Sequence, residues 1–326
     1  MKRWGVVAGV IVALNLPWSV TSVGAKMENR ARLPEATLLT GYSPLNVTVT
    51  TGEKTFKLER SGVSSYLYPS MSVDGSAIGV VLQSAIGPLE AKHFVLATYS
   101  MKEQQWTEYQ NSEPWVGAAA ISPDGAKLAF ISSKSEGIPS QFKILDLRTE
   151  KVTTVGPTLN QSFGPSISWS PNGRRIAFDE DTERSVDGKA IPPLRAIYVL
   201  DVATETVSKI ADGTAPSWSP SGEWLAFYDY QPGRDDVMKG WYADNANRVS
   251  VIHPDGSGHN VLVTFNHDES LTVPPVWSPD SKSILVNKSH DYDKGTMDIY
   301  LLDITTQQLT KKFGNVPPVY AWAAAK

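Results

Sequence analysis

A six-residue motif returns five times along the 326-residue chain and restricts its fold more than any other feature. The copies are Ser70-Met71-Ser72-Val73-Asp74-Gly75, Ala120-Ile121-Ser122-Pro123-Asp124-Gly125, Ser168-Trp169-Ser170-Pro171-Asn172-Gly173, Ser217-Trp218-Ser219-Pro220-Ser221-Gly222 and Val276-Trp277-Ser278-Pro279-Asp280-Ser281. Their central serines, Ser72, Ser122, Ser170, Ser219 and Ser278, are 50, 48, 49 and 59 residues apart. A repeat near this period means that one supersecondary unit is stacked or arranged in a ring.

Each copy has a mechanical reading. The residue before the serine ends a strand. Pro-Asp-Gly is turn chemistry, because Pro presets φ and Gly or Asn accepts a positive φ. Apolar triplets then open a second strand: Ile78-Gly79-Val80, Leu128-Ala129-Phe130, Ile176-Ala177-Phe178, Leu225-Ala226-Phe227 and Ile284-Leu285-Val286. Their continuous apolar character fits strands buried on both faces. A third strand follows a variable connection, as in Ile197-Tyr198-Val199-Leu200-Asp201 and Ile299-Tyr300-Leu301-Leu302-Asp303, and a short polar turn leads to a fourth. Four strands per repeat of about 50 residues make a propeller blade.

The two ends of the sequence complement each other. Pro317-Pro318-Val319-Tyr320 repeats the approach Pro274-Pro275-Val276-Trp277, and residues 36–40, 45–50 and 55–59 supply second, third and fourth strands. The expected fold is therefore all-β, a six-bladed propeller over residues 36–326 whose last blade is closed by strands from both termini. Closure removes the hazard of exposed edge strands. Met71, Ile121, Trp169, Trp218, Trp277 and Tyr320 take the repeated structural position.

Trp-Ser-Pro-Asp-Gly followed by Ile-Ala-Phe and Ile-Tyr-Val-Leu-Asp resembles the TolB-type propeller repeat, a relative of the WD-repeat. The resemblance implies the fold more firmly than a function. Similar repeats occur in periplasmic Tol-system proteins, in the propellers of prolyl-peptidase-like enzymes and in many secreted proteins. The α/β domain that precedes the Tol propeller and the hydrolase domain of the peptidases have no expected counterpart, since only about ten residues separate the leader from the first strand.

Met1-Lys2-Arg3, the apolar stretch Val6 to Leu16 and the small residues Gly24 and Ala25 read as a secretory signal over residues 1–25, followed by a linker over 26–35. The apolar stretch is shorter than the ~20 residues of a membrane span, so cleavage and a periplasmic or extracellular location are expected, with no span remaining. Loss of Lys2 and Arg3 takes the net charge from −4 to −6, which gives no footprint for nucleic acid. The absence of Cys excludes disulfides, thiolate metal sites and cysteine nucleophiles.

Catalytic signatures are missing. Gly164-Pro165-Ser166-Ile167-Ser168 fails the nucleophile-elbow pattern at its last position. Ser140-Gln141-Phe142-Lys143 matches Ser-x-x-Lys but opens a blade's third strand, and no phosphate-cradling glycine loop occurs. The five histidines have no helical ligand spacing, and Asp291-Tyr292-Asp293-Lys294-Gly295 lacks the further ligands of a calcium loop. No cofactor or metal is expected.

Function should then reside in the connections between second and third strands, because a rigid scaffold presents its loops. Three are long or acidic: residues 179–194, 228–247 and 287–298. They nominate Asp179, Asp181, Tyr228, Asp229, Tyr230, Arg234, Trp241, His290, Asp291, Tyr292 and Asp293 as a binding face, since Tyr, Trp and Arg anchor interfaces. The first expectation is a monomeric, non-catalytic propeller that binds a protein or peptide partner, with an envelope complex as its setting. The alternatives are a polysaccharide lyase or hydrolase using Asp179, Asp229, His290 or Asp291 at an axial site, and a carbohydrate-binding lectin.

Overall fold

The computed structural model describes residues 36–41, 47–51, 54–84, 94–110, 114–134, 139–159, 166–186, 189–230, 246–266, 271, 273–291 and 295–324. Only the backbone is described for residues 36, 183–186, 189–194, 290 and 291. The expected leader and linker, residues 1–35, lie outside the described residues.

The strands run in chain order around a ring. The closing blade begins with β1 (Ala36–Thr40), β2 (Val47–Thr51) and β3 (Lys54–Leu58). Blade 1 is β4 (Val63–Met71), β5 (Ala77–Ser84), β6 (Phe94–Ser100) and β7 (Gln105–Tyr109). Blade 2 is β8 (Trp115–Ile121), β9 (Lys127–Ser133), β10 (Ser140–Asp146) and β11 (Val152–Leu159). Blade 3 is β12 (Ile167–Trp169), β13 (Arg175–Val186), β14 (Lys189–Asp201) and β15 (Val207–Asp212). Blade 4 is β16 (Thr214–Trp218), β17 (Leu225–Tyr230), β18 (Ala246–Ile252) and β19 (Asn260–Thr264). Blade 5 is β20 (Val273–Trp277), β21 (Ser283–Asp291), β22 (Thr296–Asp303) and β23 (Leu309–Val316). The last strand, β24 (Val319–Ala324), pairs antiparallel with β1 and completes the closing blade in the order β24-β1-β2-β3.

The inner strands β4, β8, β12, β16, β20 and β24 each neighbour the next, and β24 returns to β4. The ring is a six-bladed propeller closed by both ends of the chain.

The core is a set of layers between adjacent blades. Blades 3 and 4 share Trp218, Ile197, Phe227 and Ile252, and blades 4 and 5 share Tyr228, Val249, Trp277 and Val286. The two joints of the closing blade are built from Leu38, Leu285 and Ile299 on one side and from Leu39, Ile78 and Val80 on the other. A second strand must therefore be apolar on both faces, as the triplets are. Trp169 and Trp277 add direction, donating indole N–H bonds to the carbonyls of Ala120 (3.1 Å) and Ser217 (3.0 Å) in the preceding blade.

The motif serines and carboxylates build the turns. Ser122 Oγ donates to Asp124 Oδ1 at 2.6 Å and accepts the Lys127 N–H at 2.9 Å, and the same arrangement recurs at Ser278 and Asp280. The Ser122 hydroxyl, above all, holds the Asp124 carboxyl below its ordinary range. On the opposite hairpins, Asp146, Asp201 and Asp303 accept backbone N–H bonds from Thr149, Thr204 and Thr306. These bonds are the largest cause of the lowered pKa of all three.

The closing blade corrects one expected position. Trp322, rather than Tyr320, pairs with Leu38 of the second strand, as Trp277 pairs with Ile284 in blade 5. Ala323 and Thr37 lie beside Gly75 as Ser72 and Ala77 lie beside Gly125. The likeness of Val-Tyr to Val-Trp therefore misplaces the aromatic by two residues.

Two predictions follow from the joints and the turns. Trp169→Ala removes a 7% exposed aromatic from the joint between blades 2 and 3, and should cost ~3–5 kcal/mol in chemical denaturation. The turn carboxylates have folded pKa values below the ordinary 3.8, so the folded state binds fewer protons than the unfolded state in that range. Their stabilisation is complete above 3.8 and is lost as pH falls through their lowered values. Melting temperatures measured against pH should decline in that acid window, and less steeply in an Asp146→Asn, Asp201→Asn, Asp303→Asn variant.

Candidate functional site

Two regions could carry function: the rim formed by the connections between second and third strands, and the propeller axis. Ten residues beyond the motif tryptophan, at the rim end of the second strand, stand Asp179, Tyr228 and Asn287. Each reaches across to the first residues of the next inner strand. Asp179 accepts the Ala215 N–H at 3.1 Å and a short bond from the Thr214 hydroxyl. Tyr228 donates its hydroxyl to the Val273 carbonyl at 2.7 Å. Asn287 accepts from the Val319 N–H at 2.8 Å and donates to the Val319 carbonyl at 2.9 Å. One repeat position is thus a polar tie between blades.

Asp179 is fully buried, and a buried carboxylate is tolerated only with compensating partners. Besides its contacts to blade 4, it accepts the Ser166 N–H at 2.6 Å and pairs with Arg195 at 3.1 Å. The Arg195 guanidinium also reaches Asp181 at 3.3 Å, whose side chain is 22% exposed. Burial opposes the charge on Arg195, but Asp179 and Asp181 outweigh it and raise its pKa. Asp229 is bound in the same way, by Arg248 at 2.7 Å, His259 Nε2 at 3.0 Å and the Ser250 hydroxyl at 3.0 Å. Tyr230 is buried beside this cluster, and its main-chain carbonyl accepts a short bond from Arg248. Desolvation raises the phenol pKa of both Tyr228 and Tyr230, so both remain neutral.

The expected loop face is consequently rearranged. Asp179, Tyr228, Asp229 and Tyr230 lie in strands and are buried, where exposed loop residues were expected. The connection over 179–194 is a β-ribbon: Asp181 pairs with Arg195, Thr182 with Leu194, and Val186 with Lys189. Asp187-Gly188 between the last pair is the sequence signal of a two-residue hairpin turn. That signal identifies a hairpin where the acidic composition alone suggests a loop. His290 and Asp291 fall in the last residues of β21, with Asp291 paired to Thr296, and their side chains are not described. Arg234, Trp241, Tyr292 and Asp293 lie outside the described residues.

The axis holds a cavity of about 560 Å³ lined by the inner strands of all six blades. Tyr68, Tyr320 and Trp322 contribute aromatic wall, with Ser166, Ser168 and Ser217 between them. Among the described lining residues none is Asp, Glu, His, Lys or Arg. The inner strands carry irregularities here, between Leu67 and Ser70, Val116 and Ala118, Thr214 and Ser217, and Val273 and Val276. Bulges of this kind re-aim side chains at functional walls. Sequence periodicity cannot show them, because an extra residue breaks the alternation it relies on. Among the described residues no group of three or more His, Asp or Glu could hold a metal ion.

Comparison with known proteins agrees with this geometry. The Tol-Pal system protein TolB of Alcanivorax borkumensis is 28% identical over 105 residues, which are 31% of this chain and 22% of that protein. The TolB structure from Acinetobacter baumannii superposes with a TM-score of 0.62 at 16% identity, over 88% of this chain and 66% of that one. This chain is a six-bladed β-propeller that resembles TolB. The TolB-like ring is shared more widely. A chain of a nidogen/laminin complex gives a TM-score of 0.61 at 9% identity, over 89% of this chain and 98% of that one. A manganese-bound oligogalacturonate lyase gives 0.52 at 15% identity, over 87% and 74%. No family model matches the sequence. The match spans less than two thirds of the Alcanivorax and Acinetobacter TolB chains.

Asp179→Ala should leave Arg195 buried without its main partner and cost ~3–5 kcal/mol, measured by chemical denaturation. A loss below a kilocalorie would show that the tie between blades 3 and 4 is dispensable.

Proposed function

We propose that the chain is an exported, non-catalytic propeller that binds a protein or peptide partner through its rim, within an envelope assembly. The observation that carries this reading is the use made of the rim carboxylates. Asp179 has both oxygens occupied, by Arg195, the Thr214 hydroxyl and the Ser166 and Ala215 N–H groups, so it ties blade 3 to blade 4, while Asp229 is held within blade 4 through Oδ2 by Arg248, His259 and Ser250. A role for Asp179 in polysaccharide cleavage loses its support on that ground.

Two likenesses favour a protein partner. One relative is named for the Tol-Pal system, and one propeller of the same fold comes from a nidogen/laminin complex. The basic and apolar leader supports export. Around the rim, the blade 3 ribbon and the connection over 231–245 give blades 3 and 4 more chain than their neighbours to present.

Photo-cross-linking in intact cells tests the reading. A photoreactive residue at Trp241 or Tyr292 should give a discrete adduct with another envelope protein, and one at exposed Val152 on blade 2 should not. Adducts at neither rim position, or polysaccharide cleavage by the purified protein that is abolished by Asp229→Asn, would refute it.

A further inference from the structure

The axial cavity is not needed for binding at the rim, yet its wall selects among ligands. At about 560 Å³ it falls within the ~300–1,000 Å³ usual for small-molecule sites. Its described wall is uncharged, so an ionic ligand would surrender hydration there with no counter-charge in return. The wall also carries backbone polar groups. Each inner strand is the terminal strand of its sheet and leaves one row of backbone groups unpaired within the sheet. Pro69, Pro216, Pro274 and Pro275 line the cavity and have no N–H to donate. Ser166, Ser168 and Ser217 add hydroxyls, which can both give and take hydrogen bonds.

Tyr68 adds a stored distortion. Its φ is 52°, in the left-handed region that a bulky residue avoids, and it directly precedes Pro69, where the helical regions are further disfavoured. Strain of this kind persists where the surrounding structure imposes it, commonly at binding walls. Here it lies within the bulge that separates Leu67 from Ser70, on the lining of the cavity.

We propose that the axial cavity binds an uncharged mono- or disaccharide. Sugar hydroxyls both donate and accept, as a wall of serines and sheet-edge backbone interrupted by prolines requires. The apolar face of a pyranose ring packs on aromatic wall such as Tyr68, Tyr320 and Trp322. A uronic acid is disfavoured because its carboxylate meets no cation among the described lining residues. The ligand class therefore differs from that named for the oligogalacturonate lyase of the same fold.

The test titrates the full-length mature protein with cellobiose, maltose, lactose and digalacturonic acid, using calorimetry and saturation-transfer NMR. At least one neutral disaccharide should bind saturably, and digalacturonic acid at least ~10-fold more weakly. Tyr68→Gly removes the ring and keeps a backbone that glycine adopts freely, so binding should weaken ~10-fold or more in a protein that still melts cooperatively. Tyr68→Phe should retain binding. Tyr320→Ala provides the same reading should Tyr68→Gly not fold. Absence of binding by every neutral sugar, equal binding of the uronate, or unchanged affinity in the folded aromatic variants would overturn the proposal. Cross-linking at the rim is read separately, so either result can fail without the other.

Discussion

Every inner strand must find a neighbour on both sides, and the whole molecule depends on satisfying that demand around a circle. A blade alone would leave both of its broad faces apolar, since Ile176, Phe178 and Ala177 alternate toward opposite neighbours. The hydrophobic layers between blades bury these faces, and the indole N–H bonds of Trp169 and Trp277 fix the angle at which one blade meets the next. The circle is completed by β24 against β1, which brings the two ends of the described chain into one sheet.

The same demand explains the fate of the polar residues at the rim. A blade joint made of apolar contact alone has little directional preference, whereas a hydrogen bond from Asp179, Tyr228 or Asn287 to the start of the following inner strand sets the register. The cost of burying Asp179 and Asp229 is offset by Arg195 and Arg248, each drawn from the neighbouring strand of the same blade. Residues that look like chemistry in the sequence are thereby committed to architecture.

The axis follows a different rule. Around it the inner strands bulge and carry prolines, small residues and a few aromatics, so the wall formed by the described residues is uncharged and irregular. A fold built from near-identical units thus gains a distinctive centre through departures from its own repeat. Rim and axis meet at the first residues of the inner strands, where Ser166 and Val273 both take part in the rim ties and line the cavity.

Much of the fold is written in the chain. The Ser-Pro-Asp-Gly turns and the apolar triplets repeat at a fixed period because each encodes a local hairpin, and local hairpins are specified by neighbours in sequence. That is why blade number, strand order and the two-ended closing blade follow from residues alone. The placement of Trp322 two residues beyond Tyr320, the burial of Asp179 and Asp229, and the assembly of the axial wall do not. Each depends on contacts between segments tens to hundreds of residues apart, and on bulges that shift register without leaving a periodic trace. Local chemistry determined the blades; only their closure into a ring decided which side chains face water, which face one another and which face the axis.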